Sequence, residues 1–190
     1  MSRPLYGIIL AAGRSSRLGQ PKQLIEVDGD PLVAAVVRQI AEAGVDRVVT
    51  VTGHADDRIS AALRGTGTEV VFNPEWEAGM GSSVAAGVRH VARGAGAVLI
   101  ALTDQPKIGV EHYRELVRRY RVSGKAAATG YPDGTCGVPA VFPEEYFEEL
   151  ASLSGDAGAK RILEQNRDRV EVVPNRAAAL DIDVPEDLRR

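Results

Sequence analysis

Tyr6-Gly7-Ile8-Ile9-Leu10-Ala11-Ala12-Gly13-Arg14-Ser15-Ser16-Arg17-Leu18-Gly19-Gln20-Pro21-Lys22 is the stretch on which the fold turns. Residues 7–12 are apolar and read as a buried strand, which stops at Gly13 in a polar loop carrying Arg14, Arg17 and Lys22. A buried strand running into a glycine-bearing basic loop suits phosphate. Small residues let backbone N–H groups approach the anion, and the cations offset its charge. Two well-known phosphate loops are excluded. A P-loop closes on Gly-Lys-Ser/Thr, whereas Gly19 is followed by Gln20; the dinucleotide fingerprint needs G-x-G-x-x-G straight after the strand, whereas only Gly13 and Gly19 stand here. An ordinary strand–loop turn with a solvated basic edge stays open on composition alone.

Outward from this stretch, strand and helix patterns alternate. Residues 24–27 form a short apolar piece before the turn Asp28-Gly29-Asp30, and Pro31 suits the first turn of a helix that carries Leu32, Val33, Val36, Val37 and Ile40 and ends at Gly44. Residues 47–52, 69–72 and 97–102 read as strands, 56–63 as a helix, and Ser82 or Ser83 as the cap of a helix reaching about residue 91. Further on, 112–122 is amphipathic, and 125–130 and 138–142 are strands around the turn Pro132-Asp133-Gly134. Pro143 is expected to open a helix, Asp156 or Gly158 another, and residues 170–173 and 180–184 to form the last strands before a short helix from Pro185. The strands are continuously apolar rather than alternating, the mark of a sheet covered on both faces. The expectation is one α/β domain over residues 1–190: a three-layer, Rossmann-like fold with a mostly parallel, mixed central sheet. Such sheets bind ligands at the carboxyl ends of their strands, so Gly13, Gly79–Gly81 and Asp104, which all follow strands, are expected to meet at one edge.

Composition excludes several classes. A net charge of −3 gives no general attraction to nucleic acid or an anionic membrane, so nucleotide binding must come from local cations. No apolar run is long enough to span a bilayer. The start, Met1-Ser2-Arg3-Pro4, has no signal-peptide core, and Cys136 is the only cysteine, so no intrachain disulfide can form and a reducing cytoplasm is the expected location. With three histidines and one cysteine, a structural zinc site is not expected. His54, His90 and His112 have no mutual spacing that makes a site.

The opening stretch resembles the L-A-A-G-x-S-x-R-(M/L)-G-x-x-K signature of nucleotidyltransferases that activate small phosphorylated metabolites. It is most similar to the molybdenum cofactor cytidylyltransferases and their MobA-like relatives. Leu10, Ala11, Ala12, Gly13, Ser15, Arg17, Leu18, Gly19 and Lys22 fill every fixed position. Leu102-Thr103-Asp104-Gln105-Pro106 resembles the family's L-x-D-Q-P, Gly79-Met80-Gly81-Ser82-Ser83 its G-M-G-x-S, and Asp181-Ile182-Asp183-Val184-Pro185-Glu186-Asp187-Leu188 its D-I-D-T-P-E-D-L, with Val184 in place of threonine. Gly137-Val138-Pro139 and Gly155-Asp156-Ala157-Gly158 also resemble family elements, and the resemblance covers nearly the whole chain.

The resemblance implies a magnesium-dependent enzyme in which the phosphate of an acceptor attacks the α-phosphate of a nucleoside triphosphate and releases pyrophosphate. It assigns triphosphate binding to Arg17 and Lys22, and magnesium to Asp104 and Asp183 with Asp181 in support. The nucleotide would lie against Leu10, Ala11, Ala12, Gly13, Gly79, Met80, Gly81, Ser82 and Ser83. Lys22, read as an exposed loop cation, is expected to be removable without loss of stability. CTP is favoured over GTP because GTP-using relatives usually carry glycine at the place of Ala12. The acceptor would be of molybdopterin type, and the product would pass to a molybdoenzyme. Other phosphorylated acceptors, a binding protein without turnover and a dinucleotide-dependent oxidoreductase are the alternatives. The last lacks both its glycine fingerprint and an acidic residue at Thr50-Val51-Thr52.

Overall fold

The structure, a computed structural model, describes residues 3–15, 18–27 and 29–179. Nine strands are described: β1 (Leu5–Leu10), β2 (Glu26–Val27), β3 (Asp30–Pro31), β4 (Arg47–Thr52), β5 (Glu69–Phe72), β6 (Ala97–Leu102), β7 (Ala126–Gly130), β8 (Cys136–Pro143) and β9 (Val170–Pro174). The helices are α1 (Leu32–Glu42), α2 (Asp56–Ala62), α3 (Met80–Val91), α4 (Val110–Ser123), α5 (Phe147–Ala151) and α6 (Lys160–Gln165), with 3-10 turns between. Seven strands form one sheet in the order β5-β4-β1-β6-β8-β7-β9, while β2 and β3 make a separate antiparallel pair. β1 lies parallel to both β4 and β6, with Leu10 facing Val51 on one side and Leu102 on the other. β8 runs antiparallel to β6 and β7, and β9 returns parallel to β7. The sheet is therefore mixed and mostly parallel, as its strand pattern anticipates.

Because successive side chains leave a strand on opposite faces, a strand covered on both sides must be apolar throughout. Leu5 and Ile9 of β1 and Leu99 of β6 pack with Val33, Val37 and Ile40 of α1 and Leu116 of α4. Ile8 and Leu10, with Val49, Val51 and Ile100, pack instead against Val84 and Val88 of α3, and that second core continues to Leu150 and Ile162. Fully burying each such side chain contributes about 1.5–3 kcal/mol, so the three layers hold β1, β4 and β6 with their carboxyl ends level.

Several boundaries move. Ser82 and Ser83 do not cap α3: the helix starts at Met80, with Gly79 at its N-cap, and both serines are buried inside its first turns. Pro143 closes β8 rather than opening a helix, and a 3-10 turn at Glu144–Tyr146 precedes α5. α6 begins at Lys160, later than Asp156 or Gly158. Pro31 sits just ahead of α1, paired in β3. The strand and helix expected after residue 180 lie outside the described residues. No helix among the described residues is long and apolar enough to cross a membrane.

Candidate active site

The exits of β1 and β6 open into a cavity of about 580 Å³, closed on its other side by the segment between β5 and α3. Leu10, Ala12, Gly13, Lys22, Gly79, Met80, Ser83 and Asp104 line it, together with Arg14. Chain segments far apart in sequence therefore meet at one edge of the sheet. Ala11, Gly81 and Ser82 are not among the lining residues. Arg17, Asp181 and Asp183 lie outside the described residues.

The phosphate loop is tied down from within. Pro21 is extended and leads into a 3-10 turn, Lys22–Leu24, and the Lys22 backbone N–H donates to Ser15 Oγ at 3.0 Å. The next residue, Gln23, is buried; its Nε2 donates to the carbonyls of Ala11 at 3.1 Å and Gly13 at 3.0 Å. One amide thus holds both sides of the β1 exit. Gln23 is a site residue the motif does not point to, although a polar side chain directly after Lys22 and before Leu24-Ile25 was a signal.

Lys22 Nζ donates to Asp104 Oδ2 at 2.6 Å, with only 15% and 17% of the two side chains exposed. The expectation of an exposed, stability-neutral Lys22 is thereby corrected: a largely buried carboxylate depends on it. The second oxygen, Asp104 Oδ1, is buried and has no hydrogen-bond partner among the described residues. An ionised oxygen out of water without a donor is costly, and a hard divalent cation, which takes one or two protein carboxylates beside phosphates and water, would satisfy it. Among the described residues no three or more His, Cys, Asp or Glu side chains converge; a lone carboxylate beside phosphates and water suits magnesium or manganese. Tyr113, buried beneath the site, has its phenol pKa pushed up, by burial first and by the Asp104 charge second, so it stays protonated.

The opposite wall is a seam between two loops. Gly79 has φ 110, and a Cβ there would stand 2.4 Å from the Gly155 carbonyl oxygen; one on Gly81 would stand 2.7 Å from that of Ser154. Gly81 N–H donates to Gly155 O at 2.8 Å. The glycines here admit another segment of the chain, and that segment brings Asp156 to the cavity. Gly79→Ala is expected to lower stability by about 2 kcal/mol or more, since strain at positive φ adds to a main-chain clash. A shift in the urea midpoint measures this, and an unshifted midpoint would show that the seam yields freely.

Of the histidines, His90 Nε2 lies 2.7 Å from Glu69 Oε1, and His112 Nε2 lies 2.8 Å from Thr129 Oγ1, its pKa lowered by burial against the opposing Glu115 charge. His54 follows the β4 exit, its ring centroid 5.3 Å from that of Trp76.

The model of the MobA-like NTP transferase domain matches residues 7–170. The chain belongs to this family. Similar proteins include the purine catabolism protein PucB of Bacillus subtilis, 30% identical over 96% of this chain and 93% of its own length. The nicotine blue oxidoreductase of Paenarthrobacter nicotinovorans is 31% identical over 97% of this chain and 94% of its own. The crystal structure of Rv0371c from Mycobacterium tuberculosis H37Rv superposes with a TM-score of 0.86 at 31% identity, over 100% of this chain and 97% of that one. The same protein has been solved in complex with manganese, and that structure superposes at 0.81 with 29% identity over 98% of this chain and 97% of that one. This MobA-like chain thus carries the nucleotidyltransferase sheet with a lysine-bearing loop and a largely buried aspartate at its carboxyl edge.

Proposed function

We propose that this MobA-like transferase is a single-domain, cytoplasmic cytidylyltransferase for a molybdopterin-type acceptor. In this reaction an acceptor phosphate oxygen bonds to the α-phosphorus of CTP, the bond from that phosphorus to the bridging oxygen breaks, and pyrophosphate leaves. The observation that carries the reading is the meeting of Lys22 and Asp104 at the β1–β6 exits, with one Asp104 oxygen that has no donor among the described residues. Two anions must approach each other, so fixed charge supplies most of the rate enhancement. Lys22 turns from Asp104 to the triphosphate and offsets charge on the departing pyrophosphate. Gln23 keeps the Ala11 and Gly13 carbonyls in place, so the backbone of the loop is organised before substrate arrives. A magnesium ion held by Asp104, with Asp183 and Asp181 as its partners by motif, would supply Lewis-acid stabilisation of the phosphates. Arg17 would add a second cationic grip. The product would pass to a molybdoenzyme.

Pyrophosphate release, measured with CTP and GTP against a panel of phosphorylated acceptors, tests the reading. Release with CTP and a molybdopterin acceptor supports it. Release only with a sugar phosphate or phospholactate would move the acceptor, and no release with any pair would remove the transferase. The oxidoreductase among the relatives gives the redox alternative its one specific support. A parallel trial with reduced nicotinamide cofactors separates the two, and the absent dinucleotide fingerprint argues against turnover there.

Base choice has its own test. Ala12 is buried at the β1 exit, and a Cβ placed on Gly53 would stand 2.9 Å from the Ala12 methyl, so this corner has no room to spare. Ala12→Gly is expected to shift the ratio of kcat/KM values toward GTP by about tenfold, the effect of one methyl in a pocket. Glycine also loosens the strand end, so the ratio is the quantity to follow. A wild-type preference for GTP would refute the CTP assignment.

A further inference from the structure

Along the carboxyl edge the strands stand in the order β5, β4, β1, β6, β8. The Lys22–Asp104 pair belongs to the β1–β6 side of the cavity. Trp76, which lies in the segment between β5 and α3, belongs to the β4 side. Its Cβ stands only 2.4 Å from where a Cβ on Gly53 would be, so the ring is seated directly on the residue that leaves β4. His54 N–H donates to Ala12 O at 3.0 Å, which ties this corner to the β1 exit. With neighbouring strands about 4.8 Å apart, the β4 and β6 exits are about 10 Å apart along the edge. A nucleotide whose phosphates lay at Asp104 would span β1 with its ribose and reach the β4 side with its base.

The indole is held in readiness. Asn73 is buried; its Nδ2 donates to Ser82 Oγ at 2.9 Å and Ser83 Oγ at 3.1 Å, and its Oδ1 accepts from Glu75 N–H at 3.0 Å. Ser82 Oγ lies 2.8 Å from the carbonyl oxygens of both Glu75 and Gly79, within donating distance of each. These bonds explain why two serines are buried inside α3: they brace the segment that carries Trp76. The ring is half-buried and lines the cavity.

We propose that Trp76 is the stacking platform for the nucleobase, a binding residue that sets affinity for the nucleoside part without choosing the base. The proposal rests on the nucleotide-binding reading above. Every base has a π-face, so such a platform tolerates pyrimidine and purine alike, and base choice falls to the neighbouring corner at Ala12.

Trp76 is the only tryptophan in the chain, so its emission reports on this one wall. The test titrates the protein, in the presence of magnesium, with CTP, GTP and inorganic tripolyphosphate, following emission and, by calorimetry, affinity. CTP and GTP should both quench emission to saturation, and tripolyphosphate should bind without comparable quenching. Trp76→Leu, which fills the seat without a π-face, should weaken CTP and GTP by about tenfold or more and leave tripolyphosphate unchanged. Trp76→Phe should retain most of the nucleotide affinity. Wild-type emission unmoved at saturating CTP, or full nucleotide affinity in Trp76→Leu, would overturn the platform and leave the transferase standing. Equal weakening of tripolyphosphate would also overturn it, showing that the side chain only supports its loop. If no nucleoside triphosphate bound the wild type, both the platform and the transferase would fall.

Discussion

Asp104→Asn is expected to lower turnover by about two to three orders of magnitude, the scale on which a single group facing transition-state charge is felt. The substitution keeps the size of the side chain and leaves an amide oxygen for Lys22, so the loop geometry persists. What it removes is the anionic charge, and with it the only described carboxylate that combines a buried, donorless oxygen with a place at the β6 exit. Manganese affinity, followed by the spin signal of the free ion, should fall in parallel, and a urea titration should show the variant folded. Undiminished turnover in a folded variant would take Asp104 out of the chemistry.

Lys22→Ala should cost a comparable factor in turnover, and here the structure adds a second expected loss. Lys22 neutralises a carboxylate that is mostly out of water. Removing one member of a fully buried pair costs about 3–5 kcal/mol, and with some residual exposure the loss should be about 1–3 kcal/mol. The double variant Lys22→Ala/Asp104→Asn supplies the decisive comparison. With neither member of this pair left charged, it should be less destabilised than the sum of the single variants, because residues in direct contact are coupled. Strict additivity would mean that the two side chains do not support each other in solution.

The parts of the fold that were legible are those in which one local signal is enough. β4, β5 and β6 match their expected bounds because an apolar run is cut off by polar or turn-forming residues at both ends. Lys22 and Asp104 are singled out by a motif, and the structure sets them side by side at the cavity. The errors gather where a residue serves a distant segment. Ser82 looked like a cap because serine before an apolar helix usually is one, yet its hydroxyl is directed to carbonyls of the loop before the helix. α6 starts later than its sequence predicts because the Gly155-Asp156 turn docks on Gly79 and Gly81 and is held there instead of winding into helix. Gln23, Asn73 and Trp76 take their places from partners that only the folded chain supplies: two carbonyls at the β1 exit, two serines of a later helix, a glycine after β4. No period or spacing encodes such a partnership.

The seam between Gly79–Gly81 and Ser154–Gly155 bears on how such a protein could change its substrate over generations. The two nearest atoms to each glycine across it are main-chain atoms, and main chain is the same whatever residues it bears. Glu77 and Met80, which stand at the cavity beside it, could therefore be exchanged one at a time while the join beneath them keeps its shape. Single substitutions there would try out new acceptors without first passing through an unfolded intermediate sequence. The freedom has a fixed cost: the two glycines that make the join cannot drift with the rest.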